Sequence, residues 1–128
     1  PNDFFVKKVC LGAKNKRIIN IGNINTFRDY SWITEIVKSI FLTSKLKSNN
    51  FIISAGKKIS GRKILDIAYR LNNLNYKKYF KANNKFFRKN EKKYLIGSVQ
   101  NTRYLNNKFN FKFKIFGRKL VEKMYKSL

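Results

Sequence analysis

The chain has 128 residues, 30 of them Lys or Arg against 6 Asp or Glu, for a formal net charge of +24. That length supports one core burying roughly 65–70% of the unfolded surface, and two full domains do not fit. One cysteine, Cys10, and no histidine exclude an intramolecular disulfide, a Cys/His zinc site and any Cys-His or Ser-His nucleophile within the chain. Hydrophobic content of 43% and aromatic content of 16% argue for a folded chain.

The charge excess has two readings. A polyanionic partner, nucleic acid or an anionic membrane, is one. The other is compositional: Lys, Asn, Ile, Phe and Tyr are enriched together, as in an AT-rich genome, and the basic residues are spread along the chain instead of clustering. Glu35 and Lys38 interrupt the best apolar run, so no membrane span is expected, and no signal-peptide pattern follows Pro1. A soluble, cytoplasmic chain is expected, and Pro1 in place of an initiator Met suggests a fragment of a longer one.

In chain order, residues 4–11 carry apolar residues around Lys7 and Lys8 and predict a short helix that Asp3 can cap. Ile18, Ile19 and Ile21 suit a short strand broken at Gly22-Asn23, a ligand-facing turn, and Arg28-Asp29 follows. Asp29 or Ser31 can cap a helix in which Ile33, Ile36, Val37, Ile40 and Phe41 form an apolar stripe. Residues 51–54, Phe-Ile-Ile-Ser, read as a strand covered on both faces, as in a parallel sheet. Gly56 makes a turn, Ser60 caps a second helix with Ile64, Leu65, Ala68 and Leu71 inward, and the alternation implies βα units. Residues 72–84 read as loop with a strand over 78–82, and Ile115, Phe116, Leu120, Val121 and Met124 predict a closing helix.

Two chemical patterns fail on inspection. Tyr104 and Lys108 have the Tyr-x-x-x-Lys spacing that lowers a tyrosine pKa for proton transfer, but a Tyr/Lys-rich sequence produces it by chance. Gly56 to Lys63 approaches a P-loop without the Lys-Ser/Thr after its second glycine, and no dinucleotide glycine fingerprint occurs. The remaining candidates bind anions: Lys8, Arg28 and Arg88, with Asn23 and Glu91 as hydrogen-bonding groups for a base, ribose or sugar edge. For Arg28 the competing reading is an ion pair with Asp29, and for Arg88 a solvated surface charge.

Phe4 to Lys8, Gly22-Asn23, Arg28-Asp29-Tyr30, the run ending at Gly56, Phe86-Phe87-Arg88 with Glu91, Leu95-Ile96-Gly97 and Leu120-Val121 with Met124 stand in one order and spacing. In that order they resemble the extended short-chain dehydrogenase/reductase superfamily, and most of all the C-terminal part of the GDP-mannose 4,6-dehydratases. Departures are Lys57 and Lys63 for the family's glutamates and Lys93, Ser98 and Val99 for its aspartates and proline.

The resemblance implies an α/β fold over residues 1–128. This would be the C-terminal portion of an extended short-chain dehydrogenase/reductase, including a late strand and helix of the Rossmann sheet but lacking its N-terminal cofactor half. It implies that Lys8, Asn23, Arg28, Arg88 and Glu91 bind GDP-mannose and that no catalytic residue lies in this chain. NADP would be bound by the N-terminal half, in cis or as a separate chain, and the complete enzyme, a homo-oligomeric lyase, would form GDP-4-keto-6-deoxymannose. The alternatives are a basic nucleic-acid-binding module and a non-catalytic remnant of a dehydratase.

Overall fold

The computed structural model describes residues 4–128. Three helices form its centre: α1 (Phe5–Lys14), α3 (Gly61–Arg70) and α5 (Gly117–Lys126) pack on one another. From α1 come Val6, Val9, Cys10 and Ala13, from α3 Ile64, Leu65, Ala68 and Tyr69, and from α5 Leu120 and Val121. The spacing of each set places it on one helix face, so the stripes meet and exclude water. Tyr69 is fully buried and donates its hydroxyl to the Arg17 carbonyl at 2.9 Å, which pays for the one polar atom it carries inward.

Two small sheets flank this core. In the first, β1 (Ile19–Ile21) runs parallel to β4 (Phe80–Ala82), with Ile19 opposite Phe80, and Ile19 and Ile21 face the helices. In the second, β2 (Phe27–Asp29) lies between β3 (Lys58–Ser60), antiparallel to it, and β5 (Tyr94–Leu95), parallel to it. The Phe27 and Tyr94 rings stack across the parallel pair with centroids 5.0 Å apart. Ser60 caps α3 as the sequence predicts, its hydroxyl accepting from the Lys63 amide at 3.1 Å, and Gly56 turns with φ of 67°.

Several expectations give way. Residues 51–57 carry no regular secondary structure, and among the described residues no backbone ladder runs along them. The Ile52 amide is held instead by Asn101 Oδ1 at 2.9 Å, and Ile52 is exposed. The second helix, α2 (Ile33–Thr43), forms, but its stripe of Ile33, Val37, Ile40 and Phe41 faces outward and Ser39 is its buried residue. Neither expected cap serves it: Trp32 occupies the N-cap position without a side-chain bond, because Asp29 is engaged elsewhere. Leu71 ends α3 partly exposed instead of extending its stripe. A helix with no periodic signal, α4 (Gln100–Phe109), buries only Leu105. Asp3, the expected cap of α1, lies outside the described residues.

Glu35 at the start of α2 accepts from the Lys114 and Ile115 amides at 3.0 and 3.1 Å, fastening α2 to the segment that enters α5. Acceptance by a carboxylate of two backbone donors is among the stronger hydrogen bonds a surface offers.

Candidate functional site

Between α1, the end of β1, β2 and the segment 86–91 lies an open cavity of about 450 Å³, within the range of small-ligand pockets. Lys8, Asn23, Arg28, Arg88 and Glu91, which span the sequence from the first helix to the loop before β5, all line it. Three cations against one carboxylate, partly shielded from water, make this wall attractive to an anion.

Arg28 is fixed on three sides. One guanidinium nitrogen donates to Glu91 Oε1 at 2.8 Å, and the other donates to the Phe27 and Lys92 carbonyls at 2.8 and 3.1 Å. The pair is four-fifths shielded, with side-chain exposures of 19% and 17%, so it is worth more than a solvent-bathed ion pair. Asp29 is not the partner of Arg28. Neighbouring residues of a strand point to opposite faces, and the Asp29 carboxylate turns away to accept from Ser54 Oγ at 2.5 Å and the Gly56 amide at 2.7 Å.

Lys8 projects from α1 with Nζ 4.9 Å from the centre of the Phe86 ring, a cation–π contact that leaves the ammonium at the cavity wall. Arg88 is exposed and makes no ion pair among the described residues. Asn23 Oδ1 accepts from the Asn25 amide at 3.0 Å, which locks the turn and leaves the side-chain NH₂ as a donor. Gly22 permits a backbone approach no other residue allows: a Cβ there would stand 2.5 Å from the Phe86 carbonyl oxygen.

Tyr30, Phe5 and Phe86, which the sequence marks as motif positions but not as site candidates, also line the cavity. Phe5 and Tyr30 stack with centroids 6.3 Å apart. Burial raises the Tyr30 phenol above its ordinary pKa, opposed by the Arg28 charge, reinforced by Glu91 and opposed by Arg88. The phenol therefore stays protonated at neutral pH and can donate a hydrogen bond. Aromatics next to basic residues are frequent throughout this sequence, so only position could have marked Tyr30, two residues after Arg28.

The rejected patterns find no support in the geometry. Tyr104 and Lys108 lie on α4 beside a separate groove with Lys47 and Asn49. At Gly56 to Lys63, β3 runs directly into α3 and the first-turn amides are spent: Gly61 donates to Thr26, Arg62 to Ile24, and Lys63 to Ser60 Oγ. No open helix terminus or loop of free amides is left there to cradle a phosphate. Among the described residues no group of three or more His, Cys, Asp or Glu could hold a metal, and no helix is long and apolar enough to cross a membrane.

No protein-family model matches the sequence. No curated protein matches it either. Solved structures do share its fold. MoeE5, solved in complex with UDP-glucose and NAD, superposes with a TM-score of 0.78 at 14% identity over 98% of this chain and 41% of its own. The epimerase Mth375 of Methanothermobacter thermautotrophicus superposes with a TM-score of 0.73 at 13% identity, over 98% of this chain and 37% of its own. A putative epimerase of Burkholderia cenocepacia does so with 0.71 at 20%, over 98% and 42%. The fold is a partial extended short-chain dehydrogenase/reductase fold. This chain spans about two fifths of the length of the structures it matches.

Proposed function

We propose that the chain is the nucleotide-sugar-binding part of a GDP-mannose 4,6-dehydratase-like enzyme, its C-terminal portion. The observation that carries this reading is the convergence of Lys8, Asn23, Arg28, Arg88 and Glu91 on one cavity. The likeness to MoeE5, a protein solved with UDP-glucose and with UDP-glucuronic acid, agrees in ligand class. Arg28 and Arg88 fork onto the diphosphate oxygens, Lys8 adds a point charge, and Glu91 and Asn23 meet hydroxyl or base edges. GDP-mannose is the substrate that the motif order favours.

The spent first-turn amides of α3 do not fit a dinucleotide pyrophosphate, so NADP, in this reading, is held by another part of the enzyme that also brings the catalytic groups. That part belongs to the same polypeptide or to a separate chain, and the complete enzyme is a homo-oligomer. This chain binds and orients. Calorimetric titration of the chain with GDP, GMP and pyrophosphate tests it. One GDP site, with GMP binding more weakly, is expected. Absence of heat from both GDP and pyrophosphate would remove the reading.

A further inference from the structure

Tyr104 and Lys108, which form no proton-transfer pair, line a second groove of about 570 Å³ between α4 and residues 46–51. Its two sides are pinned together: Asn101 Oδ1 accepts from the Ile52 amide at 2.9 Å, and the Thr102 hydroxyl donates to the Ser54 carbonyl at 2.6 Å. Four residues apart on one helix, Tyr104 and Lys108 share a face, and Lys108 Nζ stands 5.9 Å from the centre of the Tyr104 ring. Lys47 joins them from the other side, and no Asp or Glu lines the groove.

The groove presents mainly donors. Asn49 Oδ1 accepts from the Asn50 amide at 2.8 Å and Asn101 Oδ1 from Ile52, so each side-chain amide keeps its NH₂ without a protein partner among the described residues. Two ammonium groups and two spare NH₂ groups, with no carboxylate to compete, attract an acceptor-rich anion. The ring of Tyr104, 47% exposed, and the partly buried Phe51 add an apolar wall on which the C–H face of a small ring can lie.

We propose that this groove is a second ligand site and takes a sugar phosphate. Lys47 and Lys108 hold the phosphate, Asn49 and Asn101 donate to the hydroxyl oxygens, and Tyr104 carries the face of the sugar ring. The site stands apart from the nucleotide-sugar reading, because none of the residues that line it lines the anion cavity.

Glucose 6-phosphate, titrated into the isotope-labelled chain and followed by NMR on the side-chain NH₂ signals of Asn49 and Asn101, tests this. Both signals should shift saturably, and inorganic phosphate or glucose alone should each bind at least about ten-fold more weakly. Joint Lys47→Ala and Lys108→Ala replacement should lower the affinity at least about ten-fold. Joint Lys119→Ala and Lys126→Ala replacement on α5 removes the same charge elsewhere and should leave it unchanged. All four lysines are exposed, so both variants keep the fold. Unmoved Asn49 and Asn101 signals, inorganic phosphate binding as well as the sugar phosphate, or equal losses in the two double variants would overturn the proposal. So would a shift of the Asn23 NH₂ signal in place of theirs, which would put the ligand in the anion cavity.

Discussion

Arg28 and Glu91, 63 residues apart in the chain, meet at 2.8 Å across the mouth of the anion cavity. The contact orders two groups that would otherwise lie on a three-residue strand and an irregular loop. On the proposed reading, a phosphate bound there would share Arg28 with a carboxylate already in place.

Arg28→Ala and Arg88→Ala should each weaken GDP binding by about 1.5–3 kcal/mol, the range for hydrogen bonds to charged groups. Lysine should restore part of the loss, since it keeps the charge but not the fork. Calorimetry decides: wild-type affinity in both alanine variants would make these arginines surface charges only.

Glu91→Gln should separate anion attraction from ligand reading. Without the carboxylate, Arg28 is freer for phosphate and pyrophosphate should bind tighter by about 1 kcal/mol. GDP should gain less, or lose, because an acceptor for its hydroxyls or base is weakened. Equal gains for both ligands would show that Glu91 only competes and reads nothing.

Alkaline pH should destabilise the fold. Burial raises the Cys10 thiol from 9.0 to about 12 and, with a smaller contribution from Tyr79, the Tyr69 phenol from 10.0 to about 12. Both groups bind their proton more tightly when folded. Their contribution is complete below the unfolded values of 9.0 and 10.0 and is lost as pH rises from there towards about 12. Urea midpoints measured from pH 8 to 11 should fall, and Tyr69→Phe should flatten the upper part of that decline. A midpoint independent of pH over this interval would contradict the assignment.

Nucleic acid should bind weakly and without sequence preference, with affinity falling steeply as salt rises, because dispersed lysines neutralise phosphates and present no base-reading geometry. Fluorescence anisotropy with several unrelated oligonucleotides at near-physiological salt measures this. Tight binding to one of them would favour the basic-module reading of the charge.

The sequence was most legible where one element carries its own signals. Ser60 and the stripe of Ile64, Leu65 and Ala68 mark α3 without reference to any other segment. By contrast, β2 and β3 are three residues each, too short for a period to emerge, and α4 buries a single leucine. The α2 stripe was legible as a helix but not as an outward face, since periodicity reports which residues share a side and not what covers it. The five candidate residues were legible as a set through motif order, and all five line one cavity. Tyr30 and Phe5 were not, because their place depends on how α1 leans over β2.

Gly22 sets the width of the anion cavity. Its hydrogen faces the Phe86 carbonyl where any side chain would collide with backbone, so the turn after β1 and the segment carrying Arg88 are seated directly on each other. Alanine there could not be accommodated by rotating a side chain. The segment itself would have to retreat, taking Arg88 away from Arg28 and loosening the grip of Lys8 on the Phe86 ring. A single methyl group, attached to no ligand-binding residue, would thus change the spacing of all three cations at once.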